Sequence, residues 1–331
     1  MKKTLLKAAI SLLLIATLLH GADLPGLVAR FRGVNPWNLV AAALVMFSLS
    51  LAQAARWAII IRANGGHMGF AMSLKLVLVG YFFSQALPSS IGGDAIRIWQ
   101  AHRSGLALGM AMNTVVLDRL AALAALLIMT AMALPWLMDL VIDSPMRWAF
   151  VFVVMAGTAA FAALFFLTRL PKSVFRWRVA RAAAQLSDAA RKTLLNAGTG
   201  AVTVAMSMGA HVGVAVMVFL LADALGVRVS LMNCIFLVPL VMLTTLIPIS
   251  IAGWGVREGA MVVAFGLIQV PRSDALAVSV LFGAMLLATS LPGGVLFWWR
   301  TGHQAALPLS TTNNISTIVS QAIDDRRNRP G

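Results

Sequence analysis

Eight ionisable residues fall in stretches apolar enough to lie in hydrocarbon: Arg56, Asp94, Arg97, Asp118, Arg119, His211, Arg257 and Glu258. A charge at the centre of a membrane helix costs about 2.5 to 3.5 kcal/mol on insertion scales, so such residues face the protein interior or water and find partners. Two of them close copies of one pattern. Pro88 to Arg97 reads PSSIGGDAIR, and Pro248 to Arg257, 160 positions later, reads PISIAGWGVR, with Pro, Ser, Ile, Gly and Arg at identical places. Each copy ends an apolar run with helix breakers and then plants an arginine. An arginine in the first turns of a new helix adds a planar fork of donors to the free backbone N–H groups and the helix dipole, which is chemistry suited to an anion such as phosphate.

The neighbouring residues extend this reading. Asp94 lies one helical turn before Arg97, so the two share a face, and Asp94 also follows Gly92 and Gly93 where it would serve as an N-cap. Gly92, Gly93, Gly253 and Gly255 permit tight turns and close approach of a ligand. Asp118 and Arg119 are adjacent, point to different faces of one helix, and each needs a partner elsewhere. Glu258 stands beside Arg257. Asp118, Arg119 and Glu258 are therefore assigned to charge balance or proton coupling, and Asp94, Arg97 and Arg257 with the four glycines to substrate binding. A fixed lattice of ion pairs holding helices together is the bland alternative. His211 reads as a packed, hydrogen-bonded histidine, and Arg56 with Trp57 as an interfacial anchor. The sequence has no Gly-Lys-Ser/Thr phosphate loop, no His-Glu-x-x-His metal motif and no Gly-x-Ser-x-Gly elbow. No catalytic residue, metal site or cofactor is expected, and the chain is not read as an enzyme.

The elements that must position these residues are membrane helices. The chain is 60% hydrophobic and 11% charged, against about 25% charged in soluble domains. Apolar stretches near the length of a span lie at about 4 to 20, 38 to 61, 107 to 134, 148 to 168, 199 to 222 and 275 to 299, with shorter ones at 71 to 87 and 231 to 247 before the two motifs. The expected fold is all-α and polytopic: six full spans plus two re-entrant helical hairpins in an inverted repeat, with halves at 1–140 and 141–302 and a disordered cytoplasmic tail at 303–331.

The net charge of +15 points to the membrane surface, not to nucleic acid, because of where it sits. Arg169, Lys172, Arg176, Arg178, Arg181, Arg191 and Lys192 crowd one loop against Asp188 alone. The positive-inside rule makes that loop cytoplasmic, and Lys2, Lys3, Lys7, Arg300, Arg326, Arg327 and Arg329 place both termini on the same side of a bacterial inner membrane. Residues 172 to 196 have apolar positions at helical spacing between basic ones, which fits an amphipathic helix on the inner leaflet or a solvated linker helix. Cys234, the single cysteine, excludes an internal disulfide.

At these residues the chain resembles the transmembrane region of lysylphosphatidylglycerol synthase and its stand-alone flippase-like relatives. The likeness is carried by Ala55-Arg56-Trp57, LPSSIGGDAIR at 87 to 97, VLDRL at 116 to 120 and IPISIAGWGVREG at 247 to 259. Ala252 replaces a glycine often found there. The resemblance implies a lipid translocase without an aminoacyl-transferase domain, acting on an anionic phospholipid or polyprenyl-linked lipid, and carries functional roles to Asp94, Arg97, Asp118, Arg119, Arg257 and Glu258. The alternatives are a membrane scaffold for a separate lipid-modifying enzyme and an intramembrane enzyme using Asp94 and Asp118.

Overall fold

The structure, a computed structural model, describes residues 31–87, 92–141, 146–166, 178–246 and 253–301. The expected span at 4 to 20, the tail at 303–331 and the centres of both motifs, 88–91 and 247–252, lie outside them. The described residues form ten helices and no strand: α1 Pro36–Ala63, α2 Phe70–Ala86, α3 Gly92–Arg103, α4 Leu108–Leu140, α5 Met146–Leu164, α6 Arg178–Leu194, α7 Thr199–Ala224, α8 Leu231–Thr245, α9 Val256–Gly266 and α10 Arg272–Thr301. Among them α1, α4, α7 and α10 are long and apolar enough to cross a membrane. The expected stretch at 148 to 168 forms α5, whose apolar part, Phe150–Leu164, is shorter. This is a multi-pass helical membrane protein.

The order long, short, short, long occurs twice, as α1 to α4 and as α7 to α10. The chain reversals between the helices repeat too. After α1, Gly66 donates to the Ile61 carbonyl and Gly65 to that of Arg62; after α7, Val227 donates to Ala222 and Gly226 to Asp223. This is the same crossed pair of bonds that satisfies orphan carbonyls at a helix C-terminus, 161 positions on, with Gly65 and Gly226 both at positive φ. After α3, Leu106 donates to Ala101 and Gly105 to His102; after α9, Val270 donates to Phe265 and Gln269 to Gly266. Here the shift is 164. It stays 164 at the next helix starts, where Ala111 donates to Ala107 and Ala275 to Pro271. Between the starts of its two short helices the second half therefore carries three more residues than the first.

Equivalent helices α1 and α7 pack along one another in opposite directions. The amide of Asn35, which also caps α1 through its side chain, donates to the Ala224 carbonyl at 3.1 Å, and further along Arg56 Nη1 donates to Ser207 Oγ at 2.7 Å. Leu87, the residue before Pro88, is extended with ψ 145°, as the proline ring requires of its predecessor, and this ends α2. Small residues then let helices touch. A Cβ on Gly93 would strike Ser84 Oγ and the Gly80 carbonyl, so α3 folds back directly on α2. A Cβ on Gly293 would strike the Leu78 carbonyl, so α10 meets the backbone of α2, and the rings of Phe83 and Phe297 pack edge to face at 4.8 Å.

One expectation for the amphipathic segment is corrected. Helix α6 occupies 178–194 and its small and apolar face is covered by protein: Ser187, Ala190 and Thr193 are buried, and Ala190 packs with Ile60, Leu117 and Phe165. Asn64 Nδ2 donates to Thr193 Oγ1 at 3.1 Å, and Arg191 Nε to the Phe165 carbonyl at 2.7 Å. The C-terminal part of the face that periodicity assigned to lipid, Leu186, Ala190 and Leu194, docks on α1, α4 and the end of α5, while its part at 175, 179 and 182 lies outside the described side chains.

Candidate functional site

In the first half, the face of α1 that carries Gln53, Arg56 and Trp57 meets α3 and α4. Asp118 of α4 is wholly buried and accepts from Arg56 Nε at 2.7 Å, from Gln53 Nε2 at 3.2 Å and from both terminal nitrogens of Arg97 at 3.4 Å. The Arg97 guanidinium lies over the Trp57 ring, 4.3 Å from its centroid, a stack that stabilises a desolvated cation. Its stem passes Gly80, where a Cβ would stand 2.7 Å from Arg97 Cγ and Cδ. Gly80 thus makes the channel that Arg97 needs. Tyr81 donates its hydroxyl proton to Gln53 Oε1, which fixes the amide orientation.

At the rim of this cluster Asp94, third residue of α3, accepts two parallel bonds from Arg119: Nε to Oδ2 at 2.8 Å and Nη2 to Oδ1 at 2.9 Å. The Arg119 side chain is 51% exposed and that of Asp94 16%. Arg97 Nη1 stands 3.6 Å from Asp94 Oδ1, a weaker contact than the shared face suggested. Three guanidinium groups and two carboxylates are thus linked through α1, α3 and α4.

The second half is built differently. Arg257 and Glu258, second and third residues of α9, pair with one another, Nη2 to Oε1 at 2.5 Å and Nε to Oε1 at 3.1 Å, and both are buried. Glu258 Oε2 also accepts from the Gly255 amide at 2.5 Å, the reach-back bond of a capping box, while Gly253 and Gly255 take φ of +81° and +87°. The Arg257 guanidinium sits between the rings of Trp254 and Phe282, at 4.9 and 5.3 Å, in space that a Cβ on Gly283 would fill.

The repeated turns set a register that the motif match does not. At the 164 shift, Asp94 corresponds to Glu258, each the third residue of its short helix, whereas Arg97 corresponds to Met261 and Arg257 to Gly93. The two motif arginines are one turn out of step. Arg119 corresponds to Gly283, the position against which Arg257 rests. An acid paired with an arginine therefore occupies the same place in both halves, but the arginine comes from α4 in one and from α9 in the other. Arg56, Arg97 and Asp118 correspond to Met217, Met261 and Phe282, all buried in the apolar core. The buried cluster around Asp118 thus has apolar residues at its matching positions in the second half.

The structure thus brings Asp94, Arg97, Asp118 and Arg119 together, as it does Arg257, Glu258, Gly253 and Gly255, in two separate groups. Gly92 opens α3 and Gly93 serves helix packing. Arg56 is not an interfacial anchor: it is buried at the centre of the first group, where it neutralises Asp118. Gln53, Tyr81 and Ser207, which sequence reasoning did not select, complete its shell. Their signal was faint: polar residues of α1, α2 and α7 within otherwise apolar runs. His211 is packed, with Nε2 3.0 Å from the Ala122 carbonyl. Among the described residues no group of His, Cys, Asp and Glu could hold a metal ion.

Residues 4–293 match the family described as "Lysylphosphatidylglycerol synthase TM region". A protein of Methanocaldococcus jannaschii described as a UPF0104 membrane protein is 28% identical over 130 residues, a match that covers 39% of this chain and 39% of that relative.

Proposed function

The chain belongs to the lysylphosphatidylglycerol synthase TM region family, and on that premise we propose that it moves an anionic phospholipid or polyprenyl-linked lipid between the leaflets of the plasma membrane, with its basic loop and termini cytoplasmic. The carrying observation is the cluster of Arg56, Arg97 and Arg119 with Asp94 and Asp118 beside the break between α2 and α3. Charges at membrane depth mark substrate paths by default, and broken helices in two related halves are how transporters place such groups near the midplane. The repeated helix order and the opposed directions of α1 and α7 support an inverted repeat. Arg97 offers a planar fork to a headgroup phosphate, and Asp118 balances its charge while the site is empty.

The test is reconstitution into liposomes with a panel of fluorescent lipids and a measurement of leaflet exchange. The wild-type chain should accelerate exchange of an anionic lipid, Arg97→Gln should abolish this, and Arg97→Lys should retain part of it. One observation favours a scaffold instead: each arginine of the two groups already has a carboxylate partner. A scaffold gives no exchange by the wild-type chain and stability losses in the same variants.

A further inference from the structure

We propose that the Asp94 carboxylate is an internal stand-in for a lipid phosphate: Arg119 and Arg97 form an anion site at the rim of the first-half cluster, and a phosphodiester headgroup enters it by displacing Asp94. The inference takes only its ligand class, an anionic lipid, from the translocase reading. Its geometry is independent of whether transport occurs.

Four observations meet here. The linked groups hold one more positive than negative charge, three arginines against Asp94 and Asp118. Only its outer pair is open, with Arg119 half exposed while Asp118 and Arg97 are buried. A carboxylate held by two parallel N–H···O bonds from one guanidinium occupies the geometry that a phosphate would take, so the two anions compete for one place. Finally, Arg97 is 2% exposed and its Nε has no hydrogen-bond partner among the described residues. A buried donor in that condition is costly unless a ligand or water reaches it.

The surroundings select a lipid over a free anion. Met112, Val116 and Arg119 fall at helical spacing on one face of α4, and all three are exposed. An acyl chain along Met112 and Val116 would bring a headgroup to Arg119. The matching pair in the other half, Glu258 with Arg257, is 2% and 3% exposed. Each half thus holds an acid–arginine pair at this position, one accessible and one shut.

The test uses the full purified chain in detergent micelles. Binding of phosphatidylglycerol, phosphatidylcholine and inorganic phosphate is measured with thermal unfolding for the wild type, Asp94→Asn and Arg119→Gln. Removing the competing carboxylate enlarges the fraction of open sites, so Asp94→Asn should bind phosphatidylglycerol about tenfold more tightly. Arg119→Gln should bind it about tenfold more weakly. Phosphatidylcholine should bind weakly throughout. Inorganic phosphate should follow the same order at lower affinity, and equal affinity for phosphate and phosphatidylglycerol would overturn the lipid assignment. A folded Asp94→Asn chain with unchanged or weaker phosphatidylglycerol binding overturns the proposal. If Asp94→Asn does not fold, Asp94→Ser keeps a capping oxygen and takes its place. Failure of both to fold shows Asp94 to be a structural brace and also overturns it. Leaflet exchange by the wild type with no gain in Asp94→Asn binding sinks this inference and leaves the translocase reading; the gain in binding without exchange does the reverse.

Discussion

Arg56 and Asp118 meet at 2.7 Å with both side chains buried, although 62 positions separate them in the chain. Removing one partner leaves an uncompensated charge, so Asp118→Asn should lower stability by about 3 to 5 kcal/mol. The other half has an apolar solution at the matching places, in Met217, Met261 and Phe282. The combined variant Arg56→Met, Arg97→Met, Asp118→Phe should recover much of the single variant's loss in thermal unfolding while binding no anionic lipid. A triple variant less stable than Asp118→Asn would count against the register between the halves.

Gly80 and Gly93 should differ in how badly they tolerate alanine. A Cβ at Gly80 meets the stem of Arg97, which can shift at the expense of its contacts with Trp57 and Asp118; a Cβ at Gly93 meets the Gly80 carbonyl, which cannot. Gly80→Ala should cost about 1 to 3 kcal/mol, and Gly93→Ala more. Adding Ser84→Ala should not rescue Gly93→Ala, because the backbone clash remains. Thermal unfolding of the three variants checks the order.

At the start of α9, Gly255→Ala forces a side chain into φ +87° and should cost about 1 to 2 kcal/mol. Glu258→Gln weakens its bond from the Gly255 amide and strands Arg257, so it should be worse than Gly255→Ala. Joining Glu258→Gln to Arg257→Gln should be milder than Glu258→Gln alone, since no buried charge is left over. A double-mutant cycle with simple additivity would refute this pairing.

The opposed directions of α1 and α7 put the α1–α2 turn and the α7–α8 turn at opposite ends of this helix pair, and the proposed inverted repeat puts them on different sides of the membrane. In a Cys234→Ser background, His67→Cys and Arg228→Cys, both exposed in the wild type, should react with an impermeant thiol reagent from opposite faces of sealed vesicles. Reaction of both from one face would end the inverted arrangement.

The docked face of α6 gives an accessibility pattern along neighbouring positions. In the same background Lys192→Cys, at an exposed site, should label quickly, whereas Thr193→Cys, at a buried one, should label slowly. Equal rates would restore the reading of a helix lying free on lipid.

Much of the helical order was legible from hydropathy, because burial in hydrocarbon demands long apolar runs and the Pro and Gly motifs mark their breaks. The charged residues were legible as a set, since each is conspicuous at membrane depth. Their grouping was not. Arg56 finds Asp118 across 62 positions, and only the packing of α1 on α4 makes that contact. The motif match set Arg97 against Arg257, but helix geometry, fixed by the turns after α1, α3, α7 and α9, sets Asp94 against Glu258 instead. Side-chain identity and backbone register part company because the start of α9 follows that of α8 by three more residues than the start of α3 follows that of α2. Amphipathic periodicity located α6 but not its partner, since a face apolar enough for lipid is also apolar enough for protein.

The backbone contact at Gly293 bears on mechanics. With no side chain between them, α10 and α2 are interlocked at Leu78, and sliding one past the other would lift a backbone ridge over another. The corresponding position on α4 is Met129, buried and flexible, so α4 meets its neighbours through a deformable cushion. The two halves have the same plan but unequal stiffness. Any shear that reshapes this molecule should find its slip plane along α4, and α2 with α10 should travel as one strut.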